Sequence, residues 1–411
     1  MDKVRWGILG GAAIARTRTV PAMASAPSVE VVALASRSLE KATELCRELG
    51  IPRAYGSYQS LLADPDIDAV YVPLPNHLHC EWAIAAMEAG KDVLCEKPLC
   101  LTVAEIARLL EVRDRTGRHI EEAFVYRNHP QWAAVDDLLR AGTIGDVRGV
   151  HLTMALQLLD PDDIRNDPTL GGGSLYDMGG YVVSACTMIL GRSPERVVAA
   201  LDFDPVLGID RLSSAILDFG DAHATITVST QSGPAGRGSH QQLSVLGSRG
   251  WLLLDYPLAQ AVPRRCHVFV GDEQSIGGIA SSTITFDAVN QYALQAERFS
   301  RRVLGDDVRT WPIEDALTTL TIIEALFESA RFGRWVPIGS ATGQQTDIEK
   351  SLEHGDRVVA ARDIETTMGM HVLAGTEGTV AEDRGSNLVV FFEEAPTMIS
   401  VEEDALRRLQ E

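Results

Sequence analysis

The sequence predicts an α/β protein, with a doubly wound parallel sheet first, then an α+β open-sheet domain, then a small β-barrel (SH3-like) appendix. Three observations carry this reading. Apolar strands and amphipathic helices alternate through the first third of the chain. After about residue 122, strands follow one another without helices between them, separated by turns such as Asp218-Phe219-Gly220-Asp221 and Gly247-Ser248-Arg249-Gly250. The polar run Gly339–Gln345 then reads as a linker to short strand-like pieces. The expected divisions are residues 1–121, 122–338 and 346–411.

Val4–Leu9 is a short apolar strand followed by a glycine turn and a helix from about Ile14 to Ser25. Val29–Ala35 is nearly unbroken and apolar, as a parallel strand covered on both faces should be. Leu39–Leu49 has helical periodicity and stops at Gly50. Ala69–Val72 and Asp92–Cys95 are further buried strands around a helix at Cys80–Ala89. Val103–Thr116 is a helix, and Arg118–Glu121 leads into another strand. In the second division Gln131–Ala141, Gly179–Leu190, Val289–Leu304 and Ile313–Phe327 read as helices. Val147–Leu158, Val197–Asp202, Arg211–Asp218, His223–Ser229, Gln242–Leu246 and Trp251–Asp255 read as strands. The last division ends on an expected amphipathic helix, Glu402–Leu409.

The chain has 411 residues, 45% hydrophobic and 23% charged, with a formal net charge of −20. That is enough apolar material for real cores and argues against disorder. Strong acidity excludes nucleic acid and anionic membranes as expected partners, because both require clustered Lys and Arg. No apolar run approaches the roughly 20 residues that span a bilayer. The six cysteines are scattered without a Cys-x-x-Cys pair, so reduced, buried thiols and a cytoplasmic protein are expected. Acidity is uneven, since residues 341–411 hold 15 Asp or Glu against 6 Lys or Arg.

The turn Gly10-Gly11-Ala12-Ala13-Ile14-Ala15 joins the first strand to the first helix. Small residues there let backbone N–H groups approach a pyrophosphate at the helix N-terminus, so Gly10, Gly11, Ala12 and Ile14 are candidate cofactor contacts. Alanines stand where the strict fingerprint has its second and third glycines, and a tight turn without a ligand is the alternative. The second strand ends in Ala35-Ser36-Arg37-Ser38 rather than in the carboxylate that reads the ribose 2′-hydroxyl of NAD. Arg37 can pair with a 2′-phosphate and Ser36 can donate to it, which favours NADP over NAD. The alternative is that Arg37 is a solvated residue at a helix start.

More specific is Tyr71-Val72-Pro73-Leu74-Pro75-Asn76-His77-Leu78-His79, followed by Asp92-Val93-Leu94-Cys95-Glu96-Lys97-Pro98-Leu99. These stretches resemble the glucose–fructose oxidoreductase/inositol dehydrogenase family, whose hallmark is Glu-Lys-Pro after such a strand. Glu122–Gln131, Gly171–Tyr181 and Gln291–Glu297 match in the same order, so the resemblance covers roughly residues 3–338. It implies a Rossmann domain plus a second domain for substrate binding and for dimer or tetramer formation through its open sheet. Residues after about 345 lie outside it.

Oxidising a hydroxyl to a carbonyl, or the reverse, needs a hydride from the cofactor and a proton donor at the oxygen. Lys97 follows a strand's C-terminal end, where doubly wound sheets place ligands, and Glu96 is placed to orient or pair it. Asp177 and Tyr181 are four apart at a helix start and share one face, which the resemblance turns toward the nicotinamide. Tyr181 is assigned as general acid/base, its phenol brought toward neutrality by the Lys97 cation. Asp177 orients substrate or Lys97, or caps the helix. Arg127, His129 and Arg165 are candidate substrate contacts, with structural hydrogen bonding as the alternative. Leu74, Asn76, His79, Glu96 and Lys97 complete the expected cofactor contacts. His77 and His79 have a spacing that suggests a metal, but no third ligand accompanies them, so no metal is expected.

The leading expectation is an NADP-dependent oxidoreductase of a sugar, polyol or nucleotide-linked ketosugar. Its alternatives are an enzyme acting on a non-sugar diol, carbonyl or imine, and an NADP-binding regulatory protein that uses the C-terminal module for interaction.

Overall fold

In the computed structural model, residues 2–339 are described except 234–237, 261 and 276. Beyond residue 339 the description covers the backbone of seven strands. Residues 1–339 and 340–411 form separate units.

The first sheet consists of Val4–Leu9 (β1), Val29–Ala35 (β2), Arg53–Tyr55 (β3), Ala69–Val72 (β4), Asp92–Cys95 (β5) and Ile120–Glu122 (β6). All pair in parallel, in the order β3-β2-β1-β4-β5-β6. Helices Val20–Met23 (α1), Leu39–Leu49 (α2), Tyr58–Leu62 (α3), His79–Glu88 (α4) and Val103–Thr116 (α5) connect them. The strand order reverses between β1 and β4, and ligands of such sheets bind beyond the strand C-termini at that reversal. Sequence reasoning did not mark β3 and α3. A three-residue strand shows no period, and α3 starts on a single cap, Ser57 Oγ accepting from Ser60 N.

Pro130–Arg140 (α6) opens the second part. Its nine-stranded sheet contains Val147–Leu156 (β7), Arg196–Phe203 (β8), Asp210–Asp218 (β9), His223–Ser229 (β10), Ser239–Gly247 (β11) and Trp251–Asp255 (β12). Cys266–Gly271 (β13), Ser282–Phe286 (β14) and Val336–Pro337 (β15) complete it, three strands that the sequence reading passed over. The sheet is mixed, because β7 and β10 pair in parallel while the other pairs are antiparallel. Gly180–Leu190 (α7), Gln291–Val303 (α8) and Glu314–Phe332 (α9) are its helices. Helix α8 also reaches the first sheet, where Trp6 Nε1 of β1 donates to Ser300 Oγ at 3.0 Å and Glu297 accepts from Ser28 N at 2.8 Å.

Two helices begin with a wider turn of i→i+5 type, Ala15–Thr19 ahead of α1 and Leu175–Gly179 ahead of α7. Such turns cluster at functional sites. The first lies just before Pro21, which has no N–H to offer the ordinary helical ladder.

In the C-terminal unit, Arg357–Ala360 (β16), Glu377–Asp383 (β19), Asn387–Phe392 (β20), Ile399–Glu402 (β21) and Leu406–Arg408 (β22) form an antiparallel sheet in the order β21-β20-β19-β16-β22. Ile364–Glu365 (β17) and His371–Val372 (β18) form a hairpin. The expected helix Glu402–Leu409 is absent from these residues, since Leu406–Arg408 pairs with β16. Cross-strand pairing outweighs helical periodicity in a segment too short to nucleate a helix. Barrel closure is not among the described pairings. Most of the expected linker, residues 340–345, lies outside the described residues.

Candidate active site

Gly10 leaves β1 with φ of +98°, and a Cβ there would stand 2.9 Å from Leu74 Cδ2. Only glycine takes that conformation without strain, so the turn holds the chain tightly between β1 and the loop after β4. The helix beyond it begins with N–H groups that have no intrahelical acceptor, in line with a phosphate cradle at Gly10, Gly11, Ala12 and Ile14. At the end of β2, Ser36 is buried and donates its backbone N–H to Tyr55 O at 3.0 Å, while Arg37 is exposed. Ser38, not Arg37, caps α2 by accepting from Lys41 N. The residues therefore fit a dinucleotide whose ribose end carries negative charge.

Lys97 follows β5, and its ammonium donates to Asp177 Oδ1 at 2.6 Å and to Asp177 O at 2.7 Å. Asp177 sits in the wide turn ahead of α7, 80 residues away in sequence. Its carboxylate also accepts from Arg165 Nε at 3.0 Å, and Arg165 in turn reaches Asp163 Oδ1 at 3.2 Å. Burial alone would raise the Asp177 pKa, but Lys97 and Arg165 together hold it well below the usual carboxylate range. Asp177, itself buried, is the hub of a triad with the half-buried Lys97 and Arg165, not a helix cap. The turn that carries it is fixed by Asp210, which accepts from Leu175 N at 2.8 Å and Ser174 Oγ at 2.6 Å. Gly173, with φ of +104°, must be glycine because a Cβ would fall 2.0 Å from Asp210 Oδ1.

Tyr181 lies one turn further along, its ring against Phe124 at 5.1 Å and Tyr126 at 5.9 Å between centroids. Lys97 Nζ stands 5.4 Å from the centre of this ring. The structure corrects the expected effect of Lys97 on the phenol. Two of the ammonium's three N–H groups go to Asp177, and burial pushes the Tyr181 pKa well up, helped by Tyr292, Glu96 and Asp177. Among the described residues its hydroxyl has no hydrogen-bond partner.

Glu96 does not pair with the Lys97 ammonium either. Tyr71 Oη donates to Glu96 Oε1 at 2.5 Å and also contacts Thr19 Oγ1 at 3.0 Å. Burial raises the Glu96 pKa above the carboxylate norm. His79 is fully buried, with Nδ1 2.7 Å from Pro98 O and Nε2 2.7 Å from Leu74 O. Both ring nitrogens face backbone carbonyls, to one of which the neutral ring donates, so His79 lies between the Leu74 loop and the Lys97-Pro98 segment instead of reaching a cofactor. Asn76 Nδ2 donates to Gly171 O at 3.1 Å, linking the loop after β4 to the one ahead of Asp177.

Arg127 and His129 are not brought to the triad. The Arg127 guanidinium is buried, donating to Asp315 Oδ2 at 3.0 Å and Ser184 Oγ at 2.6 Å. His129 caps α6, accepting from Gln131 N at 3.2 Å, and burial pushes its pKa down to about 4. Of the expected substrate contacts, only Arg165 joins Lys97 and Asp177. Tyr292, Arg18 and Asp210 were missed. Tyr292 and Arg18 line a cavity of about 150 Å³ between the first helix and the start of α8. Tyr292 stood inside the recognised Gln291–Glu297 stretch, a signal that named no role for it.

Glu122, on β6, accepts from Leu99 N at 2.9 Å and so steadies the segment just after Lys97. Burial raises its pKa from 4.5 to about 7, against the opposing pull of that N–H, Arg127 and Lys97. A carboxyl raised in the folded state binds its proton more tightly there than in the unfolded chain. Its contribution to stability is therefore complete below the unfolded value and is lost as pH rises through about 7. The side chain keeps some solvent contact, so the expected loss is about 1–2 kcal/mol. Urea midpoints at pH 5 and pH 8 check this. The wild type should lose stability over that interval relative to Glu122→Gln, and parallel curves would refute it.

Residues 4–124 match the family described as "Oxidoreductase family, NAD-binding Rossmann fold", and residues 132–253 match the GFO/IDH/MocA C-terminal domain. The chain belongs to the Gfo/Idh/MocA oxidoreductase family. An uncharacterized oxidoreductase of Rhizobium meliloti is 45% identical over 336 residues, covering 82% of this chain and 99% of that protein. The NADP(+)-dependent D-xylose 1-dehydrogenase 2 of Haloferax volcanii is 36% identical, covering 81% of this chain and 99% of its own. Among solved structures, a 3-ketoreductase from Actinomadura kijaniata, in complex with NADP and TDP-benzene, superposes with a TM-score of 0.72 at 29% identity. That match covers 80% of this chain and 98% of the ketoreductase. Like other Gfo/Idh/MocA proteins, this chain pairs a Rossmann-type sheet with a second, mixed sheet. Among the described residues no helix is long and apolar enough to cross a membrane.

Proposed function

We propose that this protein is an NADP(H)-dependent reductase of a sugar or nucleotide-linked ketosugar. One observation carries the reading. The Actinomadura ketoreductase has also been solved as a lysine variant and as a tyrosine variant, at positions 84 apart in that chain. Lys97 and Tyr181 are also 84 apart, and they stand side by side here.

When bound, NADPH would supply the hydride. Gly10, Gly11, Ala12 and Ile14 would hold its pyrophosphate, and Ser36 and Arg37 its 2′-phosphate. The chain's own part is protonic and electrostatic. Tyr181 gives its phenolic proton to the substrate carbonyl oxygen as that oxygen gains negative charge. The phenol is in its protonated form at neutral pH, the form that donates to a carbonyl oxygen. The Lys97 ammonium stabilises the developing alkoxide. Asp177 keeps that ammonium in place, and Arg165 holds Asp177.

The experiment is a substrate panel followed by the change in NADPH absorbance, with a dTDP-linked 3-ketosugar supplied with NADPH, and D-xylose, D-glucose and trans-1,2-dihydrobenzene-1,2-diol supplied with NADP(+). Turnover of a ketosugar or free sugar at least tenfold above that of the diol is expected (an order-of-magnitude threshold). Preference for the diol, or no turnover of any member, overturns the reading.

A further inference from the structure

Two carboxyl groups feel the charge of Lys97, and the structure treats them differently. Asp177 takes two N–H groups of the ammonium. Glu96 is the adjoining residue, yet its Oε1 accepts from Tyr71 Oη at 2.5 Å, and its Oε2 meets only the Lys97 backbone N–H, at 3.4 Å. Tyr71 lies fully buried on β4, and its hydroxyl carries a single proton. Because that proton goes to Glu96, the 3.0 Å contact with Thr19 Oγ1 has Thr19 as its donor. Thr19 is itself buried, at the end of the wide turn ahead of α1. It therefore fixes the phenol, and the phenol fixes the Glu96 carboxyl.

The groups around Glu96 show what this arrangement prevents. Besides Tyr71, the titratable or charged side chains that interact electrostatically with its carboxyl are Lys97, Arg165 ahead of α7, Tyr181 of α7, Tyr292 of α8 and Cys95 of β5. Lys97 has one ammonium N–H beyond the two given to Asp177, and the Tyr181 hydroxyl has no partner among the described residues. A partly buried carboxyl deprived of the Tyr71 proton is an acceptor in want of a donor, an unfavourable state that these neighbours can relieve. The remaining Lys97 N–H and the Tyr181 O–H are also the two donors that the substrate oxygen needs.

We infer that Tyr71 is a positioning residue for the reaction, which holds the Glu96 carboxyl away from the Lys97 ammonium and the Tyr181 hydroxyl and so keeps both donors open to the substrate oxygen. The inference rests on the roles proposed above for Lys97 and Tyr181. Tyr71 itself touches neither of them in the hydrogen-bond network and acts through Glu96 alone.

A double-mutant cycle on the full chain tests this, with kcat measured at saturating NADP(H) and the panel member that is turned over fastest. Tyr71→Phe keeps the ring and removes the hydroxyl. It should lower kcat about tenfold or more, the weight of one hydrogen bond to a charged group. Glu96→Gln removes the competing charge, so Tyr71→Phe added to that background should change kcat by less than about twofold. A merely structural role for Tyr71 would cost the same in both backgrounds. If Tyr71→Phe does not fold, Thr19→Val replaces it, since it takes away the hydroxyl that anchors the phenol. A smaller loss of about threefold is then expected, with the same cancellation in the Glu96→Gln background. Equal losses in the two backgrounds, or a kcat within about twofold of wild type, would overturn the inference while leaving Lys97 and Tyr181 in their roles. Near wild-type kcat in Lys97→Met and Tyr181→Phe, or no turnover of any panel member, would remove the reading beneath it and the inference with it.

Discussion

Tyr181→Phe is expected to lower kcat for ketosugar reduction by about 10²–10⁴-fold, the usual weight of a positioned proton donor. The ring stays packed against Phe124 and Tyr126, and no intramolecular hydrogen bond is lost among the described residues, so the thermal midpoint should hardly move. Lys97→Met should cost about 10²–10³-fold, as expected when a preorganised charge beside a developing alkoxide is removed. This variant should also fold, because Asp177 keeps its second cation, Arg165, at 3.0 Å. NADPH affinity, followed by fluorescence titration, should change little in either protein. Steady-state kinetics decide the matter. Two variants with near wild-type kcat would remove these side chains from the mechanism, even if the protein proved to be a ketosugar reductase.

Arg37→Asp is expected to reverse the cofactor preference. A charge-assisted hydrogen bond to the 2′-phosphate contributes about 1.5–3 kcal/mol, so NADPH should bind roughly 10–100-fold more weakly. The new carboxylate repels a 2′-phosphate and can accept from the 2′-hydroxyl of NADH, which should bind more tightly than before. Arg37 is exposed at the end of β2 and does not cap α2, so stability should stay within about 0.5 kcal/mol of wild type. Parallel titrations with NADPH and NADH read the outcome. Unchanged selectivity would leave Arg37 as a solvated surface residue.

These expectations rest unequally on sequence and structure. Elements with a clear helical period or an unbroken apolar run were legible. Val29–Ala35, Leu39–Leu49, Ala69–Val72, Asp92–Cys95 and Val103–Thr116 occur with the expected bounds. The three-residue β3 was not, because so short a strand owes its existence to its neighbour β2 and not to its own pattern. In the site, Lys97, Asp177 and Tyr181 could be singled out from their motifs, yet their partners could not. Sequence proximity suggested that Glu96 pairs with Lys97, whereas Glu96 is held by Tyr71 and Lys97 by Asp177. His79, Arg127 and His129 lie in or beside equally recognisable motifs, and burial turned each to structural work.

By itself the sequence determined the alternation of strands and helices, the glycine that must open the first helix, and which residue types stand near the sheet's C-terminal edge. Those follow from local sterics and from a periodicity confined to a few neighbouring residues. Tertiary structure decided which charges meet. The Lys97–Asp177–Arg165 triad and the raised phenol of Tyr181 both arise between segments distant in sequence. The energy of a buried charge or N–H depends on the partner and the solvent exclusion that folding brings to it, and neither is encoded at the residue's own position.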